Sequence, residues 1–214
     1  MSFNFKYRLY GRSKGRNKNK NINSYAKKIL VTKIDRVKFN IVDIGAGYGE
    51  STLYLARKYP ENSIIACEKY IDGINKIAES SNRFTLNNIS IYYGNAKQFF
   101  DENCSVNSIS EIWILFPDPW PKKRHHKRRL INVNFLKNIE KYIKKGSFIH
   151  IASDSKSYIL QILNSIYFLK KDYKWINQNR DEWNYNNLNL PQTKYLKKAQ
   201  EKGLSPFYCK LKKL

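Results

Sequence analysis

Val42-Asp-Ile-Gly-Ala-Gly-Tyr-Gly49 sets three glycines at alternate positions between an apolar, β-type run, Phe39–Ile44, and a segment of helical spacing, Glu50–Tyr59. Glycine lets a chain turn sharply and lets a ligand approach the backbone. The start of the following helix offers free N–H groups. The same alternation continues outward. Apolar strand-like runs recur at Ser63–Cys67, Ile89–Tyr93, Ile109–Phe116 and Ser147–Ala152. Between and after them, helical spacing is expected at Ile71–Ser80, Ala96–Phe100, Leu130–Ile143 and Ser155–Phe168. Strands alternating with helices argue for a parallel sheet covered on both faces. The tail breaks the rhythm: Tyr173–Ile176 and Phe207–Leu211 read as two further strands, with Asn177–Gln192 a loop between them. The expectation is an α/β, Rossmann-like fold with a seven-stranded, mostly parallel sheet.

The ends of the first three strands carry polar groups in register. The glycine spacing is GxGxG, not the GxGxxG of dinucleotide sites, and it resembles that of class I methyltransferases that use S-adenosylmethionine (SAM). Asp43 lies two residues before Gly45, where a carboxylate suits the ammonium of SAM. Glu68 closes the second strand and is placed to accept ribose hydroxyls. Asn95 ends the third strand, within reach of an adenine. Gly45, Gly47 and Gly49 complete the candidate cofactor set. The product would be S-adenosylhomocysteine (SAH).

The fourth strand runs into Leu115-Phe-Pro-Asp-Pro-Trp-Pro-Lys-Lys-Arg-His-His-Lys-Arg-Arg129. Two prolines flank Asp118, fixing φ and stiffening the turn. In an open α/β sheet this position, beyond a strand's carboxyl end, is where ligands sit. Trp120 is suited to stack on a base. Six of residues 121–129 are Lys or Arg, and no acid occurs between Asp118 and Glu140. A basic run is often only a solvated face; fused to a rigid turn at a strand end, it points to RNA.

These residues resemble the signature of the bacterial tRNA (guanine-N7)-methyltransferase family, which acts on guanine 46 in the tRNA variable loop. The similarity extends to Val42–Gly49, Ala66–Glu68, Ile151-Ala-Ser-Asp-Ser-Lys-Ser-Tyr158, Thr193-Lys-Tyr195 and the N-terminal Tyr10-Gly-Arg-Ser-Lys-Gly-Arg16. The resemblance implies that Asp43, Glu68, Asn95 and Asp118 surround SAM, with Asp118 also at the reaction centre. It places Lys122, Arg124, Asp154, Thr193, Lys194, Tyr195 and Leu196 against tRNA. Asp43 is often Glu in the family, Asn95 is often Asp, and Leu196 stands where Glu is usual. Two alternatives stay open: a SAM-dependent enzyme for another RNA base, and a non-catalytic RNA-binding protein that keeps the fold. A nicotinamide oxidoreductase is disfavoured by the glycine spacing.

Composition agrees with an RNA partner. Forty Lys+Arg oppose 17 Asp+Glu over 214 residues, a formal net charge of +23 that draws in polyanions. Residues 1–38 hold 12 Lys/Arg and one acid, Asp35; they read as a basic arm and lead-in helix before a methyltransferase domain over 39–214. Three scattered cysteines, Cys67, Cys104 and Cys209, form no pair or metal cluster, so no metal is expected and a reducing cytoplasm suits them. No apolar run is long enough to span a bilayer. A monomer and a homodimer are both compatible with the sequence. His150, inside a strand, reads as a core histidine, while Trp175, Trp183 and Tyr185 read equally as packing groups or base-stacking platforms.

Overall fold

A computed structural model describes residues 21–31, 33–35 and 37–214. The basic arm over residues 1–20 and its Tyr10–Arg16 signature lie outside the described residues.

The chain alternates as expected. In order it forms α1 (Ser24–Lys28), β1 (Asn40–Ile44), α2 (Glu50–Lys58), β2 (Ser63–Glu68), α3 (Ile71–Arg83), β3 (Ile89–Tyr93), α4 (Ala96–Asn103) and β4 (Ile109–Leu115). After a 3-10 turn, Lys123–Arg128, come α5 (Val133–Glu140), β5 (Ile143–Ser153), α6 (Lys156–Phe168), β6 (Tyr173–Trp175), α7 (Arg180–Trp183), α8 (Lys194–Glu201) and β7 (Phe207–Lys213). The seven strands form one sheet in the order β3-β2-β1-β4-β5-β7-β6. The first five run parallel, and β7 is antiparallel to both β5 and β6. The order reverses between β1 and β4, the switch point at which such sheets open a crevice.

Two apolar layers flank the sheet. On one face Val42, Ile44, Ile112 and Ile114 meet Phe99 and Phe100 of α4, Phe135 and Leu136 of α5, and Ile162 of α6. On the other, Ile41, Ile64 and Trp113 meet Leu55 of α2, Ile74 and Ile77 of α3, and Leu196 of α8. The period of two along a strand sorts the sides. Asp43 therefore shares its face with Ile41, toward α2. The lead-in segment packs as well: Ala26 is buried and Leu30 bridges to Ile91 beside β3.

The expected loop Asn177–Gln192 contains the short helix α7, and two further elements differ from their sequence spacing for visible reasons. The fifth helix begins only at Val133, because Asn132 caps it, its side chain accepting from Phe135 N at 2.9 Å, and Ile131 N is drawn away to Tyr158 Oη at 2.8 Å. It ends at Glu140 because Ile143 already belongs to β5, pairing with Ile109. Helix α8 occupies a tail segment whose short apolar stripe gave little sign of it. Thr193 caps it, Oγ1 accepting from Leu196 N at 3.1 Å.

Candidate active site

The glycine loop takes its shape from the backbone. Gly45, Gly47 and Gly49 all have positive φ, at 74°, 60° and 90°. Gly45 N donates to Cys67 O, tying the loop to the end of β2. Helix α3 closes down behind it. A Cβ on Gly73 would lie 2.1 Å from Gly47 O, and one on Gly49 would lie 2.6 Å from Ile77 Cγ1. Only a glycine at 73 allows so close an approach of helix to loop. In front of Gly45 the opposite holds: an added Cβ would meet nothing within 4 Å.

That open space belongs to a cavity of about 420 Å³ over the carboxyl ends of β1, β2, β3 and β4, inside the range of ~300–1,000 Å³ usual for small-molecule sites. Gly45, Gly47, Glu68, Asn95, Asp118, Lys194 and Tyr195 line it, so the structure brings these expected residues together. Glu68 is buried, and burial raises its carboxyl above the ordinary range, opposed by hydrogen bonds from the Gly47, Lys69 and Tyr70 N–H groups at 2.7–2.9 Å. A carboxylate has about four lone-pair directions. Three are taken, which leaves room for roughly one ribose hydroxyl instead of both. Asn95 caps α4, its Oδ1 accepting from Lys97 N at 2.8 Å, so its amide N–H group remains for a ligand.

The remaining expected residues do not reach the cavity. Asp43 is fully buried, and its Oδ2 accepts from Ser51 Oγ and Thr52 Oγ1, both at 2.6 Å. Burial pushes its carboxyl up to about 6 against the pull of those two hydroxyls. It anchors the start of α2 to β1, and Glu50 on α2 supplies the cavity's carboxylate instead. Gly49, Lys122, Arg124, Asp154, Thr193 and Leu196 also lie off the lining. Lys122 and Arg124 are exposed on the rim, whereas Leu196 is wholly buried in the core.

Across from the glycine loop, the turn after β4 is bent hard. Phe116 and Trp120 both sit in the left-handed region, at φ 53° and 44°, bracketing Pro117-Asp118-Pro119. Such conformations cost about 1–3 kcal/mol each and persist where surroundings impose them. Phe116 packs on Tyr185, and Trp120 lies under Arg128, whose Cζ is 5.0 Å from its ring centre, with His125 edge-on at 5.8 Å. Asp118 is left exposed at the crest. The basic run divides: Lys122, Lys123, Arg124 and Lys127 face solvent, whereas Arg129 is buried.

Several lining groups carried no sequence signal of their own. Tyr48 Oη and Tyr70 Oη are 3.1 Å apart, Tyr70 donates to Asp72, and Lys194 sits 4.2 Å over the Tyr48 ring. This joins the first turn of α8 to the glycine loop. Away from the cavity, His150 is the expected core histidine, stacked on Trp113 at 3.9 Å with Nδ1 2.6 Å from Tyr208 Oη. Trp175 and Trp183 pack with Phe207, and Tyr185 is buried, so all three are packing groups. Among the described residues there is no cluster of three or more potential metal ligands, and no helix is long and apolar enough to cross a membrane.

Strand order, glycine loop and carboxylate-lined crevice define a class I methyltransferase fold. A solved Streptococcus mutans methyltransferase in complex with SAH shares it, at 14% identity and a TM-score of 0.51, over 89% of this chain and 94% of that one. A family model described as "Putative methyltransferase" matches residues 38–209. The tRNA (guanine-N(7)-)-methyltransferase of Roseobacter denitrificans is 31% identical over 78% of this chain and 70% of its own length. The enzyme of that name from Buchnera aphidicola subsp. Acyrthosiphon pisum (strain 5A) is 37% identical over 77% of this chain and 66% of its own. The chain belongs to the tRNA (guanine-N7)-methyltransferase family.

Proposed function

We propose that this chain transfers a methyl group from SAM to N7 of guanine 46 in the variable loop of tRNA. The observation that carries the proposal is one cavity with two unlike walls. Glu50 and Glu68 stand beside the glycine loop; Asp118 stands opposite, with a solvent-facing basic run on its rim. The first wall fits a nucleoside that carries positive charge: the space before Gly45 is open, Glu68 retains acceptor capacity, and Asn95 offers an amide N–H group. The basic rim fits a polyanion. The methyl donor is SAM, which supplies, when bound, a methyl group activated by its sulfonium.

Guanine N7 has an exposed lone pair and no proton to lose, so the site needs no general base. The chain's own work is to hold and to stabilise. Holding reacting groups in place can supply up to ~7–11 kcal/mol of the barrier. Asp118, fixed between two prolines, faces a purine ring that becomes positive as N7 is alkylated, and its carboxylate stabilises that charge. Trp120 and Tyr195 offer aromatic surfaces near the base. Lys122, Lys123, Arg124 and Lys127 meet phosphates, and Lys194 joins the tRNA side to the glycine loop through Tyr48.

The test is methyl transfer from labelled SAM to unmodified tRNA, with the product mapped by nuclease digestion and mass. N7-methylguanosine at position 46 is the expected result. Methylation at another base would move the substrate assignment, and tight binding of SAM and tRNA without transfer would favour the non-catalytic alternative.

A further inference from the structure

Arg129 ends the basic run and, like Lys127 and Arg128, borders the cavity, but it is buried where Lys122, Lys123, Arg124 and Lys127 face solvent. It is 2% exposed, and its guanidinium is spent on neutral acceptors. Nε donates to Pro119 O at 2.8 Å, Nη1 to Ser157 O at 3.0 Å and Gln161 Oε1 at 3.1 Å, and Nη2 to Ser157 Oγ at 2.8 Å. The group also lies over the Tyr158 ring, 4.9 Å from its centre, and burial lowers its pKa. None of the ion pairs among the described residues includes it. A buried cation facing only dipoles is expensive unless it is hydrogen-bonded, and here the planar fork makes four hydrogen bonds to two elements at once.

The turn needs such a donor. Pro117, Pro119 and Pro121 have no N–H, so this stretch can hold itself to the body with few bonds of its own. It is bent at both ends into the left-handed region. Pro119 O, directly after Asp118, is the atom that Arg129 grips, and Ser157, Tyr158 and Gln161 fix the other end of the clamp in α6.

The geometry points to Arg129 as the positioning residue for Asp118: it holds the turn to α6 and does not bind phosphate. This rests on the assignment of Asp118 to the reaction centre. Arg129→Ala is expected to lower turnover at saturating tRNA and SAM by roughly 10²-fold, the scale of a misplaced reacting group. The dissociation constants for tRNA and SAM, and the salt dependence of tRNA binding, should stay near wild type. Added guanidinium ion should restore part of the lost turnover. Arg129→Lys, which reaches fewer acceptors, should show the same separation to a smaller degree, and it decides the matter if the alanine variant does not fold. A second readout needs no substrate. The Trp120 indole N–H resonance, assigned through Trp120→Phe, should move in the Arg129 variants and not in Lys123→Ala. Unchanged turnover, an unmoved Trp120 resonance, or weakened tRNA binding with a salt slope lowered by about 1 and turnover intact would each overturn the assignment. Wild-type protein that methylates no guanine N7 would instead sink the functional proposal, and the Trp120 resonance would still decide whether Arg129 holds the turn.

Discussion

On the wall built from β1, β2 and β3, backbone holds the polar groups: Glu68 accepts three N–H groups and Asn95 caps a helix. On the wall after β4, side chains hold the backbone: Asp118 rides a proline-rich turn gripped by one buried guanidinium. The first arrangement fixes its polar groups rigidly, as the proposed binding of a small cofactor, the same at every turnover, requires. The second sets one exposed carboxylate at the crest of a strained turn, beside a rim of solvent-facing cations.

The comparison can be broken most directly at Asp118. Asp118→Ala is expected to cost ~10²–10³ in turnover while SAM and tRNA still bind, measured by single-turnover transfer beside equilibrium binding. Near-normal turnover would make the two walls equivalent in importance. On the opposite wall Gly73→Ala forces a methyl group against Gly47 O. Overpacking of this kind costs ~1–3 kcal/mol, visible in thermal denaturation, and SAM affinity should fall while tRNA affinity holds.

Asp43 sharpens the contrast through pH. Its folded-state value of about 6 lies above the ordinary 3.8, so the folded protein keeps the proton after the unfolded chain has lost it. Stability from this group is therefore present below about pH 4 and declines as pH rises toward and past 6, by up to roughly 3 kcal/mol. Glu68 shifts the same way and Glu111 the opposite way, so the informative quantity is a difference. Chemical denaturation of Asp43→Asn should show a flatter fall than wild type between pH 4 and 6.5, and parallel curves would refute the assignment. The smallest effect is expected at the rim: Lys122→Ala should weaken tRNA binding modestly and reduce its salt slope by about 1, with SAM binding unchanged.

The first wall was largely legible in the sequence because its groups sit at strand ends, where a local pattern marks the place. Gly45, Gly47, Glu68 and Asn95 follow from that register. Asp43 shows the limit: an acid two residues before the glycines can face the ligand or the following helix. Its side is set by Ile41 two residues earlier and by the hydroxyls of Ser51 and Thr52 beyond the turn. Gly73 carries no signal because its need arises only when α3 meets the loop. On the second wall the turn was legible, but the fate of each cation was not. Charge predicts attraction for phosphate equally at Arg124 and Arg129, and only α6, folded beneath, separates the exposed one from the buried one. Leu196 likewise looks like a missing polar contact until α8 turns it into the core.

Strand β6 has a single neighbour in the sheet, β7, which is synthesised only after α7 and α8. Residues 173–175 thus wait for a partner while the strands carrying the glycine loop, Glu68 and Asn95 already have theirs. Pairings between distant segments form slowly because the intervening loop must first be closed. On a growing chain the strand ends that carry Gly45, Glu68 and Asn95 can therefore be paired before Lys194 and Tyr195, which complete the cavity's lining, exist.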